Sequence, residues 1–316
     1  MLAHLSRRDL LHSAAVAGVG LAATTAPAVA APDPAKKDPF GYCLNTSTIS
    51  GQKLGVVDEI EIAAKAGYDA FEPWIRELEQ YVKDGGNLKD LGKRLRDHGL
   101  KVESAIGFSE WIVDDADKRK KGLEEARRSM DLVQQIGGKR IAAPPVGATN
   151  QAGLSLLAVA ERYRALLEVG DKIGVVPMVE MWGHSKTLNR LGDVAFVALE
   201  SDHPKACVLA DVFHLYKSGS DFKGVHLLSA DALPHLHLND YPAAPPRGDI
   251  TDAARVYPGD GVAPLKELLR DLRNLGYHGM LSLELFNRDY WKQDALLVAK
   301  TGLEKMKAVV RASLEG

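Results

Sequence analysis

Four residues of metal-ligand type stand at or near the ends of short apolar runs. Glu180 closes VVPMVE, Asp211 closes ACVLAD, His237 lies inside HLHLND, and Glu284 closes MLSLE. One imidazole with three carboxylates is a hard, mostly oxygen donor set. It suits Mn²⁺ first, with Mg²⁺, Co²⁺ or Zn²⁺ as alternatives. A carboxylate on an apolar strand needs a partner, because an unpaired buried charge is costly, and a single divalent cation would serve all three. A lone strand-end glutamate is more often a helix cap, an ion-pair member or a solvated rim residue. Four ligand types closing successive runs are harder to explain that way.

The elements that must position them repeat along the chain. Each unit is an amphipathic helix, a glycine, and a short β-rich run ending in a polar residue. Copies begin at Gly67, Gly99, Gly138, Gly174 and Gly276, each glycine at a helix C-terminus where φ > 0 is needed. The runs at 41–45, 206–211 and 236–239 bring the strand candidates to eight. Eight βα units over 39–316 imply an α/β protein, a single-domain (β/α)8 TIM barrel, with Asp294 to Leu314 as its closing helix. A doubly wound sheet would need a Gly-rich phosphate loop after the first strand, and NTSTISG at 45–51 is not one. In a barrel the four strand-end residues converge on one mouth.

The 316 residues are 46% hydrophobic and 26% charged, enough for a large core. Lys+Arg at 40 against Asp+Glu at 42 leaves a charge of -2, so no basic field gathers nucleic acid or anionic lipid. A small-molecule partner is expected. Cys43 and Cys207 are too few for a disulfide framework and read as buried apolar fillers.

Ser6-Arg7-Arg8-Asp9-Leu10-Leu11 precedes a weakly apolar Ala/Gly-rich stretch that ends in Ala28-Val29-Ala30. This resembles a twin-arginine export signal spanning 1–30, cleaved after Ala30, with a Pro- and charge-rich linker at 31–38. A retained anchor is the alternative, although His12, Ser13, Thr24 and Thr25 make a poor membrane span. The expected location is periplasmic or extracellular, without stable membrane association after cleavage.

The segments VEMWGH, ADVFH, HLHLND, RVYPGDG and GYHGMLSLELFN make the chain resemble the xylose-isomerase-like TIM barrels known as sugar phosphate isomerases/epimerases. The resemblance covers roughly residues 40 to 312 and is strongest from Val175 onward. It implies one divalent metal on Glu180, Asp211, His237 and Glu284, with substrate oxygens contacted by His214 and Arg255. Arg247 lies in the same loop as Arg255 and either could reach inward. His184 is a further substrate-binding candidate, with capping near Ser185 as its plainer role. Glu72, Trp74, Trp111, Trp182 and Phe286 are candidates for the pocket wall. His235 should lie one layer beneath His237 on the same strand face, whereas His98, His203 and His226 read as surface or helix positions.

The chemistry implied by the resemblance is proton abstraction next to a carbonyl. A Lewis-acidic metal stabilises an enediolate, and Glu180 and Glu284 act as base and acid on opposite faces of the carbon. The outcome is isomerisation or epimerisation of a keto-sugar or related polyol. Expulsion of a β-oxygen would instead make the enzyme a lyase or dehydratase on a keto-sugar, 3-keto-glycoside or cyclitol. An endonuclease-IV-type repair enzyme would need histidines at the early strand ends, which offer Asn45, Glu72, Ser104 and Pro144. A non-catalytic sugar-binding barrel is the alternative from another class. Related barrels often pair, so a homo-oligomer is compatible with this reading.

Overall fold

The computed structural model describes residues 38–315, so the expected export signal at 1–30 and all of the expected linker but Asp38 lie outside the described residues. Seven parallel strands form among them: β1 Gly41–Asn45, β2 Ala70–Glu72, β3 Arg140–Ala143, β4 Val176–Glu180, β5 Val208–Asp211, β6 His235–Leu238 and β7 Met280–Leu283. Their order is β2-β1-β7-β6-β5-β4-β3, which places the first strand beside the last. All are short and mostly buried, as strands covered on both faces should be.

The eighth expected strand, at Gly99 to Ala105, is not a regular one. Its chain nevertheless runs between β2 and β3. Phe71 N donates to Lys101 O (2.8 Å), Ile106 N to Pro73 O (2.9 Å), and Ala142 N to Ala105 O (2.8 Å). Isolated bridges join Ala70 to Lys101 and Trp74 to Ile106. Between those bridges one side advances four residues and the other five, so the pairing slips by one. Pro73, which has no N–H, sits within the slipped stretch. The gap in the barrel wall is therefore filled by hydrogen-bonded but irregular chain.

Nine α-helices alternate with this sheet among the described residues: α1 Val56–Ala66, α2 Ile75–Lys83, α3 Leu88–Asp97, α4 Ala116–Gln135, α5 Leu156–Ile173, α6 Leu191–Glu200, α7 Val212–Ser218, α8 Leu265–Asn274 and α9 Ala295–Leu314. The closing helix is α9, capped by Asp294, whose carboxylate accepts from Leu297 N at 2.9 Å. It packs on both α8 and α1, joining the end of the helical layer to its beginning. Gly67 ends α1 at φ 92°, as the sequence requires. After α4 the left-handed residue is Gly137 (φ 85°), one position before the expected Gly138.

Beneath the mouth, α5 buries Val159, Tyr163, Leu166, Leu167 and Gly170, spaced three and four apart along one face. Tyr163 secures the strand that carries Glu180. Its hydroxyl lies 2.8 Å from Pro177 O and 2.9 Å from Cys207 O, and it accepts from Cys207 N at 3.2 Å. The hydroxyl thus bridges β4 at a proline that cannot donate to the ladder itself. Gly170 lets α5 approach closely, since a Cβ there would sit 2.3 Å from Val175 O. Cys43 and Cys207 are free and buried. No helix among the described residues is long and apolar enough to cross a membrane.

Candidate metal-dependent active site

Parallel pairing sets Asp211 level with His237 and His237 level with Ser282, while Glu180 ends β4 and Glu284 follows β7. Four adjacent strands therefore deliver their polar ends to one point. His237 Nδ1 lies 3.1 Å from Glu284 Oε2, 3.6 Å from Asp211 Oδ2 and 3.9 Å from Glu180 Oε1. It is buried and has no hydrogen-bond partner. An orphaned imidazole nitrogen facing three carboxylate oxygens is a fitting donor set for one divalent cation. Asp211, His237 and Glu284 also bring ligand atoms within 4.8 Å of one another.

Each carboxylate is held differently. Asp211 Oδ1 accepts from His214 N (2.9 Å) and so caps α7, while Oδ2 accepts from Arg255 Nη1 (2.7 Å) and Asn239 Nδ2 (3.2 Å). The bland capping role and the site role coexist in one residue, because a carboxylate has two oxygens. Glu284 accepts from Arg255 Nη1 (2.9 Å) and Asn45 Nδ2 (3.3 Å). No hydrogen bond to the Glu180 carboxylate occurs among the described residues. Burial, with Glu284 and Asp211 nearby, pushes the Glu180 carboxyl well above its ordinary range against the pull of His237. Burial also opposes the charge on Asp211, but the Arg255 guanidinium outweighs it and holds Asp211 well below the usual range. His237 is disfavoured as a cation by burial, yet Glu284 and Glu72 raise it overall.

A cavity of about 250 Å³ opens over these groups, lined by Glu180, Glu284, Arg255, Asp252, His214 and His184 beneath an aromatic wall. That wall runs from Phe286 through Trp74 and Phe108 to Trp182, with successive ring centroids 6.0, 4.9 and 6.3 Å apart. His184 stacks on Trp182 at 5.4 Å. Burial draws His214 down to about 4, so its imidazole is neutral at ordinary pH.

The structure brings together Glu180, Asp211, His237, Glu284, His214, His184 and Arg255. Of the two loop arginines, Arg255 reaches inward and is 1% exposed, whereas Arg247 lies over the Tyr216 ring. Two wall candidates are placed elsewhere. Trp111 is buried in the core with its indole N–H on Pro144 O at 2.9 Å, and it does not line the cavity. Glu72 lies beneath His237 rather than beside substrate, because β2 ends one layer too deep. His235 occupies the layer below His237 that strand alternation predicts, with ring centroids 5.7 Å apart.

Asp252, Asn45 and Phe108 were not singled out by sequence reasoning. Asp252 sits three residues before Arg255 and accepts from its Nε at 3.1 Å. That i,i+3 spacing was the one available signal.

The sequence model of the xylose isomerase-like TIM barrel matches residues 60–309. The chain belongs to that family. Among its relatives, an inosose isomerase of Bacillus velezensis is 25% identical over 272 residues, covering 85% of this chain and 96% of that protein. A fructoselysine 3-epimerase of Escherichia coli O157:H7 is 22% identical, covering 83% of this chain and 96% of its own. A 3-dehydroshikimate dehydratase of Pseudomonas putida is 24% identical over 79% of this chain but only 39% of its own length. The structure of the IOLI protein with a binding zinc atom superposes with a TM-score of 0.79 at 22% identity, covering 87% of this chain and 99% of that one. At that identity the likeness establishes the barrel, not its contents.

Proposed function

We propose that this family member is a metal-dependent isomerase or epimerase of a keto-sugar or related polyol. The observation that carries it is the placement of Glu180 and Glu284 on the floor of one cavity, with the orphaned Nδ1 of His237 between their strands. The names of the relatives support the same class: inosose isomerase and fructoselysine 3-epimerase. Glu180, Asp211, His237 and Glu284 would hold a divalent cation, with Mn²⁺ the preferred ion, which would supply Lewis-acid polarisation of the substrate carbonyl.

The chain's own groups divide the remaining work. Glu180, on the cavity floor and free of hydrogen bonds among the described residues, takes the α-proton, since a cation beside it would favour its ionised form. Glu284, steadied by Arg255 and Asn45, returns a proton to the opposite face. Each carboxyl finishes in the other's starting state and is reset by exchange with water. His214, neutral beside the guanidinium of Arg255, is placed to hold a substrate oxygen, and His184 with Trp182 bounds the ring. The aromatic arc excludes water from the reacting carbons.

The export motif at Ser6-Arg7-Arg8 supports delivery outside the cytoplasm, and among the described residues no lysine lines the cavity. Both favour an unphosphorylated substrate. Expulsion of a β-oxygen from the same intermediate is the second reading, favoured by the dehydratase relative. The deciding experiment incubates the Mn²⁺-loaded protein with keto-sugars in deuterated water and follows product by NMR. Deuterium at the α-carbon with retained oxygen content supports epimerisation, and loss of water supports the lyase. No exchange with any keto-sugar overturns both.

A further inference from the structure

We infer that Glu72 is the positioning residue for His237: its buried carboxylate accepts the Nε2 proton and so turns the Nδ1 lone pair toward Glu180, Asp211 and Glu284. This rests on the cation-site reading above. Glu72 ends β2, while His237 is on β6, with β1 and β7 between them in the sheet. The Glu72 side chain therefore reaches across the barrel interior, where it is wholly buried. Its Oε2 accepts from Ser282 Oγ at 2.6 Å and from Asn45 Nδ2 at 2.9 Å. His237 Nε2 lies 3.4 Å from Oε1 and 3.2 Å from Oε2.

An ionised carboxylate only accepts, so the imidazole nitrogen facing it must carry hydrogen. In neutral His237 the other nitrogen, Nδ1, is then the lone-pair donor, and that is the atom left without a partner at the strand-end carboxylates. Such carboxylate–histidine pairs fix ring orientation and strengthen the ligand.

The orientation of Asn45 makes the assignment firmer. Its Oδ1 accepts from two donors that cannot act as acceptors, Trp74 Nε1 at 3.0 Å and Ser47 N at 2.9 Å. The amide nitrogen must therefore point inward, where it bridges Glu72 Oε2 and Glu284 Oε1. A hydrogen-bonded line thus runs from the cavity wall at Trp74, through Asn45, to both the supporting glutamate and a strand-end one.

Cys43, Glu72 and His235 also bring ligand atoms within 4.8 Å of one another. A second ion there competes with this assignment. It would have to draw Glu72 away from Ser282 and Asn45, in a layer that does not line the cavity. His235 Nε2 lies 3.1 Å from Glu72 Oε1 but without hydrogen-bond alignment, so Glu72 serves His237 in preference.

Two measurements test the assignment. In Mn²⁺ titrations the native protein should bind one equivalent, and Glu72→Gln should bind it about 10–100-fold more weakly with an unchanged circular-dichroism spectrum. In the Zn²⁺-loaded, ¹⁵N-histidine-labelled native protein, NMR should place the proton of His237 on Nε2, protected from exchange. The idea is overturned by native affinity in a folded Glu72→Gln protein, by a proton on Nδ1, or by a second equivalent that Cys43→Ala abolishes. If Glu72→Gln does not fold, the NMR measurement on the unaltered chain decides. Neither readout is turnover, so failure of the proton-exchange reading is scored separately.

Discussion

Strands β4 to β7 end in or near Glu180, Asp211, His237 and Glu284, whereas β1, β2 and β3 end in Asn45, Glu72 and Ala143. The late half of the barrel presents ligand-type side chains to a common point. The early half presents an amide, a sunken carboxylate and a methyl group, and contributes Trp74 and Phe108 to the middle of an aromatic wall whose ends, Phe286 and Trp182, belong to the late half. Glu72 and Glu180 show what separates the halves. Both are buried strand-terminal glutamates, yet Glu180 meets the cavity without a hydrogen bond, while Glu72 accepts from Ser282 and Asn45. One layer of depth turns the same side chain from a reactive group into a brace.

The comparison breaks most sharply at the late strand ends. Glu180→Gln and Glu284→Gln should each lower α-proton exchange by about 10²–10⁴-fold, measured by NMR in deuterated water, and chelation should abolish it. A substitution in the early wall should not approach this. Arg255→Ala removes the cation shared by Asp211 and Glu284. It should cost about 3–5 kcal/mol of stability in denaturant unfolding without added ion, and less with saturating Mn²⁺. Equal losses under both conditions would mean that guanidinium and ion do not compensate the same charges.

On the early side, Phe108→Ala should raise KM up to about tenfold with little change in kcat, as expected for one aromatic contact. A kcat collapse would show that the wall takes part in the chemistry. The smallest expected effect is one of pH. Glu59, on α1, is raised to about 9 by burial and then by Glu77, and its Oε2 has no partner. A raised folded value means that its contribution is complete below its ordinary 4.5 and is lost as pH rises through about 9. Glu59→Gln should flatten the decline between about pH 4.5 and 9 in thermal unfolding scans while leaving proton exchange unchanged.

The late half was legible because each apolar run there stops at a residue whose burial needs explaining, and because its β-runs are regular. The early half was harder. Gly99 to Ala105 has the composition of a strand, but its one-residue slip against β2 is set by a partner distant in sequence. Trp111 and Trp182 look alike as single letters, and only packing shows that one fills the core and the other bounds the cavity. Asn45 acquires its meaning from Glu72 and Glu284, 27 and 239 residues away. Local pattern carries no trace of such distances. Arg255 against Arg247 was likewise undecidable until the loop had a course.

Arg255 also bears on how the protein assembles. Its guanidinium spans Asp211 and Glu284, is paired with Asp252, and lies between the rings of Phe213 and Phe286. The polypeptide therefore carries its own positive charge into the most acidic part of its interior. That charge would offset Asp211 and Glu284 before any ion is bound, and ion capture would then follow on a folded scaffold. What ion the folded protein holds would then reflect the supply it meets after folding rather than the path by which it folded.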